Sequence, residues 1–249
     1  MKIIPFFFIV LRKNSIFVKI QNLDNMCEEK NLPPIQGNPL KETNVCENGR
    51  SFRLIDFFLT GTIEDKEYYH DFLRAINSTS EYDEIHIHIN NYGGDLDCAI
   101  QIYHSLLRCK ARIFIYVEGA CCSAASVIMM SADEIEFCPW CEVMIHAYSG
   151  GDVGKYHEIQ SATEFHKKWF TKLMNDVYGE FLSKKELSQV LGGKDLYLDA
   201  EEAKSRFDKI FRKREREYSK MKRESDQMIR KMTKMCSQLN NETDDEESD

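Results

Sequence analysis

Glu84-Ile85-His86-Ile87-His88-Ile89-Asn90-Asn91-Tyr92-Gly93-Gly94-Asp95 changes character twice within twelve residues. Isoleucine stands at every second position as far as Ile89, the period of a strand with one apolar face. The alternation stops at Asn91-Tyr92-Gly93-Gly94. Asp95 then reads as the N-cap of a helix that carries Leu96, Ala99, Ile100, Tyr103, Leu106 and Leu107 at helical spacing.

The same alternation extends in both directions. Upstream lies a strand at Ile55-Asp56-Phe57-Phe58-Leu59-Thr60-Gly61 and a helical stretch from Asp65 to Asn77. Downstream, a strand from Ala111 to Glu118 turns at Gly119 and feeds a helix of small residues from Ser123 to Ser131. Short strands follow at Glu134 to Cys138 and Glu142 to Ala147. Gly150-Gly151 introduces a long helix whose apolar residues Tyr156, Ile159, Ala162, Phe165, Trp169, Leu173 and Val177 share one stripe, the mark of a core or oligomer contact. A helix from Lys184 to Leu191, a strand from Lys194 to Leu198, and a last helix capped by Asp199 with Glu202 in the capping-box position complete the middle of the chain. Strand and helix in this order predict an α/β fold with a parallel or mixed sheet.

Composition agrees. In 249 residues, 43% hydrophobic content supports a packed core, and 33 basic against 41 acidic side chains give a net charge of −8. Between Arg212 and Lys234 stand 10 basic and 4 acidic residues, while the last ten residues hold six acids and no base. These segments cancel, so the acidic balance belongs to the body, and nucleic acid is not an expected ligand. Tyr218, Met221, Ser225, Met228, Met232, Met235 and Leu239 follow an a/d register along the basic stretch. Nine cysteines, two of them adjacent at Cys121 and Cys122, suit a reducing, cytoplasmic compartment. No apolar run has the 18 or so residues of a membrane span. The nine apolar positions from Ile3 to Leu11 match a signal-peptide core in length but lack a cleavage site, and read equally as a short strand or as sequence upstream of a start at Met26. From Cys27 to Asn48 the chain reads as a linker. The expected domains are therefore an N-terminal extension and linker over 1–48, a body over 49–211, and a basic helix with an acidic tail over 212–249.

Four groups of residues could carry chemistry. His86 and His88 share a strand face but have no third ligand at useful spacing, so they read as packed or hydrogen-bonded residues and no metal site is expected. Cys138-Pro139-Trp140-Cys141 has redox spacing but precedes a strand, so it reads as a tight turn. Gly192-Gly193-Lys194 lacks the upstream glycine and following hydroxyl of a phosphate loop. In Gly119-Ala120-Cys121-Cys122-Ser123-Ala124-Ala125-Ser126, small residues crowd a strand-to-helix turn, which places a serine hydroxyl beside the unpaired N–H groups of a helix start. Ser123 is then a candidate nucleophile. Met144-Ile145-His146 ends one strand and Asp195 begins another segment, so Ser123, His146 and Asp195 form a triad by roles.

Phe57 to Gly61, Ile87 to Gly94, Gly119 to Ser126, Met144 to His146 with Gly150-Gly151, and Asp195 ahead of Asp199-Ala200-Glu201-Glu202-Ala203 together resemble the proteolytic subunit of the Clp protease, over residues 53–211. Ser-Ala-Ala-Ser, and Tyr-Ser-Gly-Gly after His146, look closer to bacteriophage-type members. The resemblance implies a Clp protease/crotonase-like superhelix of ββα units with a charged helical C-terminal extension. It implies a serine endopeptidase with Ser123 as nucleophile, His146 as general base, Asp195 as its orienter, and an oxyanion hole from the Gly93 and Ala124 N–H groups, with no metal and no cofactor. It also implies homo-oligomeric rings stacked through the helix from Lys155, enclosing a chamber for protein or peptide substrates, with unfolded or scaffold-type chains delivered by an ATP-driven unfoldase. Tyr92 replaces the family's proline, and Ala124-Ala125 the Met-Gly after the nucleophile. Two other readings stand beside this one: a crotonase-type acyl-CoA enzyme, which shares the broader fold, and an inactive structural ring.

Overall fold

The computed structural model describes residues 40–47, 49–151 and 153–246; the apolar run at Ile3 to Leu11, Met26 and the first part of the expected linker lie outside them. In chain order the strands are β1 (Leu40–Glu47), β2 (Arg50–Ile63), β3 (Glu84–Gly94), β4 (Arg112–Cys122), β5 (Glu134–Phe137), β6 (Glu142–Ile145) and β7 (Leu196–Asp199). The helices are α1 (His70–Asn77), α2 (Leu96–Arg108), α3 (Ala124–Met129), α4 (Tyr156–Tyr178), α5 (Lys184–Leu191) and α6 (Ala200–Glu246).

These strands make one mixed sheet in the order β1-β2-β3-β4-β6-β7. β2, β3 and β4 run parallel, and β5 and then β6 pair in parallel along successive parts of the outer edge of β4. β1 and β7 pair antiparallel at the two ends. The alternation read from the sequence sets the faces. Ile55, Phe57 and Leu59, then Ile85, Ile87 and Ile89, then Ile113, Ile115 and Val117 are all buried. The helices cover this face: the Phe72 ring of α1 stacks on Phe57 at 3.7 Å, and Ile102 and Leu106 of α2 are fully buried. Burying each such side chain stabilises the fold by about 1.5–3 kcal/mol.

His86 and His88 point to the other face, where they stack with Phe114, Tyr116 and Phe58. His88 Nδ1 lies 2.8 Å from Glu118 and His86 Nδ1 lies 3.1 Å from the Tyr116 hydroxyl. Among the described residues no group of His, Cys, Asp or Glu could hold a metal ion.

Three expectations change. The linker gives way at Leu40–Glu47, which pairs with Arg50–Phe57 as an antiparallel hairpin about Gly49; the pairing surface of β2, rather than any period in β1 itself, makes this a strand. Asn91 to Gly94 continue β3 instead of ending it. β4 likewise runs on past Gly119 to Cys122. At Gly119 the ladder with β3 shifts register, and Asn90 Oδ1 bridges the gap by accepting the Ala120 N–H at 3.1 Å. A Cβ at Gly119 would lie 2.4 Å from that oxygen, so glycine serves a close approach rather than a turn.

By contacts the chain divides into a unit ending at Arg206 and a second from Phe207 onward. In the second, Met228, Ile229 and Met232 of the helix are exposed. In the first, Ser183 caps α5 in a box with Glu186, and Arg206 bonds both carboxylate oxygens of Glu186, at 2.7 and 3.1 Å. These bonds, that from Arg206 foremost, hold the Glu186 carboxyl down to about 2. A depressed carboxylate stabilises the fold above its unfolded value, about 4.5, and that stability is lost as pH falls towards 2. Arg206→Ala is therefore expected to lower the melting temperature by a few degrees at neutral pH and to flatten its fall between pH 4.5 and 2. Parallel melting curves for the two proteins would remove Arg206 as the cause.

Candidate active site

Strand register brings the three sequence candidates together. β4 pairs with β6 as Cys122 with Met144, and the Ser123 N–H donates to the Met144 carbonyl at 2.8 Å, one step beyond the paired residues. β6 pairs with β7 as Ile145 with Leu196, antiparallel, so the next pair outward is His146 opposite Asp195. The imidazole reaches back over the turn: His146 Nε2 lies 2.7 Å from Ser123 Oγ. His146 Nδ1 faces Asp195 Oδ1 at 4.0 Å, adjacent but beyond hydrogen-bond length, and Asp195 is about half exposed.

Ser123 itself makes the turn from β4 into α3. Its backbone sits at φ 54° and ψ −124°, a region that costs a non-glycine residue about 1–3 kcal/mol. The turn lifts Oγ out of the sheet and leaves the Ala124 N–H at the first position of a helix, where amides have no intrahelical partner. The end of β3 presses against this turn. A Cβ on Gly93, at φ 93°, would lie 2.7 Å from Ser123 Cβ and from the Cys122 carbonyl, so only glycine fits.

At Gly93 the geometry differs from expectation. Its N–H donates to Asn91 Oδ1 at 2.8 Å, and the fully buried Asn91 carboxamide is pinned in turn by donating to the Thr60 carbonyl at 3.1 Å. A buried donor needs a partner, and here Asn91 occupies this amide in the conformation seen. Asn91 escaped the sequence reading because an asparagine at a strand end looks like a turn residue.

Beside Ser123 and His146 opens a cavity of about 440 Å³, walled by Val127, Phe170, Leu173, Met174 and Tyr178, with Tyr92 at the rim. The apolar stripe of α4 is split. Tyr156 and Phe165 are exposed and Val177 is buried, while the other buried residues of the helix, Phe170, Met174 and Tyr178, lie outside that stripe. Ser126, the other serine of the motif, is wholly buried, with its hydroxyl 2.7 Å from the Tyr178 hydroxyl. Nothing local marks Tyr178 in the sequence, because its hydroxyl partner lies 52 residues away in the chain.

The other candidates lie away from this centre. Cys138-Pro139-Trp140-Cys141 is a turn closed by the Cys141 N–H to the Cys138 carbonyl at 3.2 Å, with Trp140 in the left-handed region. Burial pushes the Cys141 thiol up to about 11, the reverse of a reactive thiolate. Cys46, Cys98, Cys121, Cys122, Cys138 and Cys141 are in no disulfide.

The Clp protease family model matches residues 48–214. Among curated proteins the chain is similar to the ATP-dependent Clp protease proteolytic subunit 1 of Rhodopirellula baltica, 29% identical over 138 residues, covering 53% of this chain and 59% of that protein. It is similar also to the ATP-dependent Clp protease proteolytic subunit of Oltmannsiellopsis viridis, 28% over 91 residues, covering 36% and 47%, and to that of Chlorella vulgaris, 25% over 134 residues, covering 52% and 65%. The chain thus spans between about half and two thirds of these relatives. Among the described residues no helix is long and apolar enough to cross a membrane.

Asp195 and Asp199 are four residues apart and differently employed. Asp199 Oδ1 accepts the Glu202 N–H at 2.8 Å as the cap of α6, a bond worth about 0.5–2 kcal/mol. Asp195 faces His146. Asp195→Asn is expected to lower turnover by roughly 10² to 10⁴-fold with little change in melting temperature, and Asp199→Ala to lower melting temperature while sparing turnover. The reverse pattern in paired activity and melting measurements would exchange the two roles.

Proposed function

The chain belongs to the Clp protease family, and we propose that it is a serine endopeptidase whose nucleophile is Ser123. One observation carries this reading: the 2.7 Å contact between Ser123 Oγ and His146 Nε2 at the start of a helix. A serine hydroxyl has no nucleophilic strength at neutral pH without a base in contact.

In the proposed reaction Ser123 Oγ attacks the scissile carbonyl while His146 Nε2 takes its proton. The tetrahedral oxyanion is held by the Ala124 N–H, and by Gly93 once the Asn91 carboxamide releases its amide. His146 then protonates the leaving amine. Water, deprotonated by the same imidazole, hydrolyses the acyl-enzyme. Asp195 closes on Nδ1 when substrate is bound, holding the tautomer that leaves Nε2 free to accept. The cavity beside Ser123, lined by the apolar Val127, Phe170, Leu173 and Met174 together with polar residues, takes a side chain of the substrate.

The protease domain is taken as 49–211. Protein or peptide chains are the substrates, unfolded or scaffold-type, in a homo-oligomeric ring like those of the family, in the cytoplasm, with an ATP-driven unfoldase as partner. The exposed Tyr156 and Phe165 on the first half of α4 support an oligomer, since both leave large aromatic side chains unburied within one chain.

A fluorophosphonate probe tests the chemistry, because only an activated serine reacts. The parent chain is expected to label at Ser123. Labelling should vanish in Ser123→Ala and fall by about 10⁴-fold or more in His146→Ala. Labelling that survives Ser123→Ala would overturn the assignment, and an unlabelled parent chain the peptidase reading itself.

A further inference from the structure

The hydroxyls of Ser126 and Tyr178 form a buried chain that ends on the nucleophile's own backbone. Ser126 Oγ lies 2.6 Å from the Ser123 carbonyl oxygen and 2.7 Å from the Tyr178 hydroxyl. A carbonyl can only accept, so the single Ser126 proton is directed to Ser123, and Tyr178 must donate to Ser126. The order is Tyr178 O–H to Ser126 O–H to the Ser123 carbonyl. The Ser126 N–H adds a second bond to the same carbonyl at 2.9 Å. Both side chains are buried. Burial pushes the Tyr178 phenol well above its ordinary range, so it remains a donor across the working pH range.

The Ser123 carbonyl and the Ala124 N–H belong to one planar trans peptide and point in opposite directions. Fixing the oxygen therefore fixes the direction of the N–H. This peptide also follows a residue whose backbone, at φ 54° and ψ −124°, lies outside the regions that side-chain-bearing residues favour. Rotation about ψ of Ser123 towards a relaxed geometry would swing the plane and carry the Ala124 N–H away from the nucleophile.

We infer that Tyr178, reaching from the last residue of α4, is a positioning residue that acts through Ser126 to aim the Ala124 N–H at the developing oxyanion. The inference rests on the peptidase reading and gives α4 a part in the site separate from its place in the cavity wall. Neither hydroxyl touches substrate or the reacting atoms. Their effect falls on the step that develops charge on oxygen and leaves binding nearly untouched.

The test compares fluorophosphonate inactivation of the full chain with that of Tyr178→Phe, Ser126→Ala and the double variant. Resolving the maximal inactivation rate from the half-saturating probe concentration separates chemistry from binding. Losing a whole oxyanion donor costs about 10² to 10³-fold, so releasing one from its aim is expected to slow the maximal rate about tenfold. The half-saturating concentration should shift less than about twofold. The double variant should be no slower than the slower single variant, because both belong to one chain of bonds. Should Tyr178→Phe melt below the assay temperature, Ser126→Ala carries the same expectation. Parent-like rates, additive losses, or an effect confined to half-saturation or melting temperature would overturn the inference and leave Ser123 as nucleophile. A parent chain that does not react would overturn the peptidase reading and the inference with it.

Discussion

The 2.8 Å hydrogen bond from the Ser123 N–H to the Met144 carbonyl ties the end of β4 to the last turn of the ladder with β6. It carries the ladder one bond beyond the pair of Cys122 and Met144, towards His146. With it, the pairing of Cys122 with Met144 and of Ile145 with Leu196 determines which residues emerge side by side at the rim. A slip of one residue in either ladder turns the side chains to the opposite face. It would direct His146 away from Ser123. The buried Val143, Ile145 and Leu198 guard against that slip, because they would have to exchange places with exposed or half-buried neighbours.

The same constraint explains the composition around Ser123. A serine at positive φ stores strain, and strained turns persist only where surrounding structure over-determines them. Here Gly93 presses from β3, α3 begins at the next residue, and Ser126, itself bonded to Tyr178, grips the carbonyl from behind. Cys121, Cys122, Ala124 and Ala125 are small and buried, which leaves room for three backbone segments to converge. Burial raises the Cys121 thiol well above its usual range, so these cysteines pack as small apolar residues beside the Ser123 hydroxyl.

The sheet was legible because its central strands are buried on one face, and Ile85, Ile87, Ile89 and their neighbours on β2 and β4 spell that out at period two. β1 was not legible, since it carries little apolar pattern of its own and owes its conformation to pairing with β2. The continuation of β4 past Gly119 was hidden for a related reason: a glycine that admits the Asn90 side chain looks the same in sequence as one that makes a turn. Ser123, His146 and Asp195 could be named from order and residue type. Their separations could not, because the 2.7 Å and 4.0 Å contacts depend on two ladders formed by residues far apart in the chain. The Asn91 contact to Gly93 and the Tyr178 to Ser126 chain are long-range or conformational facts with no local signature.

The central claim is that strand register places an activated Ser123 between His146 and an amide aimed at its oxyanion. A crystal structure of the chain after reaction with a peptidyl phosphonate tests it most directly. The account predicts phosphorus bonded to Ser123 Oγ, the phosphonyl oxygen within hydrogen-bond distance of the Ala124 N–H, and the peptidyl side chain in the cavity walled by Val127, Phe170 and Met174. An adduct on another side chain, or a phosphonyl oxygen turned away from Ala124, would contradict it.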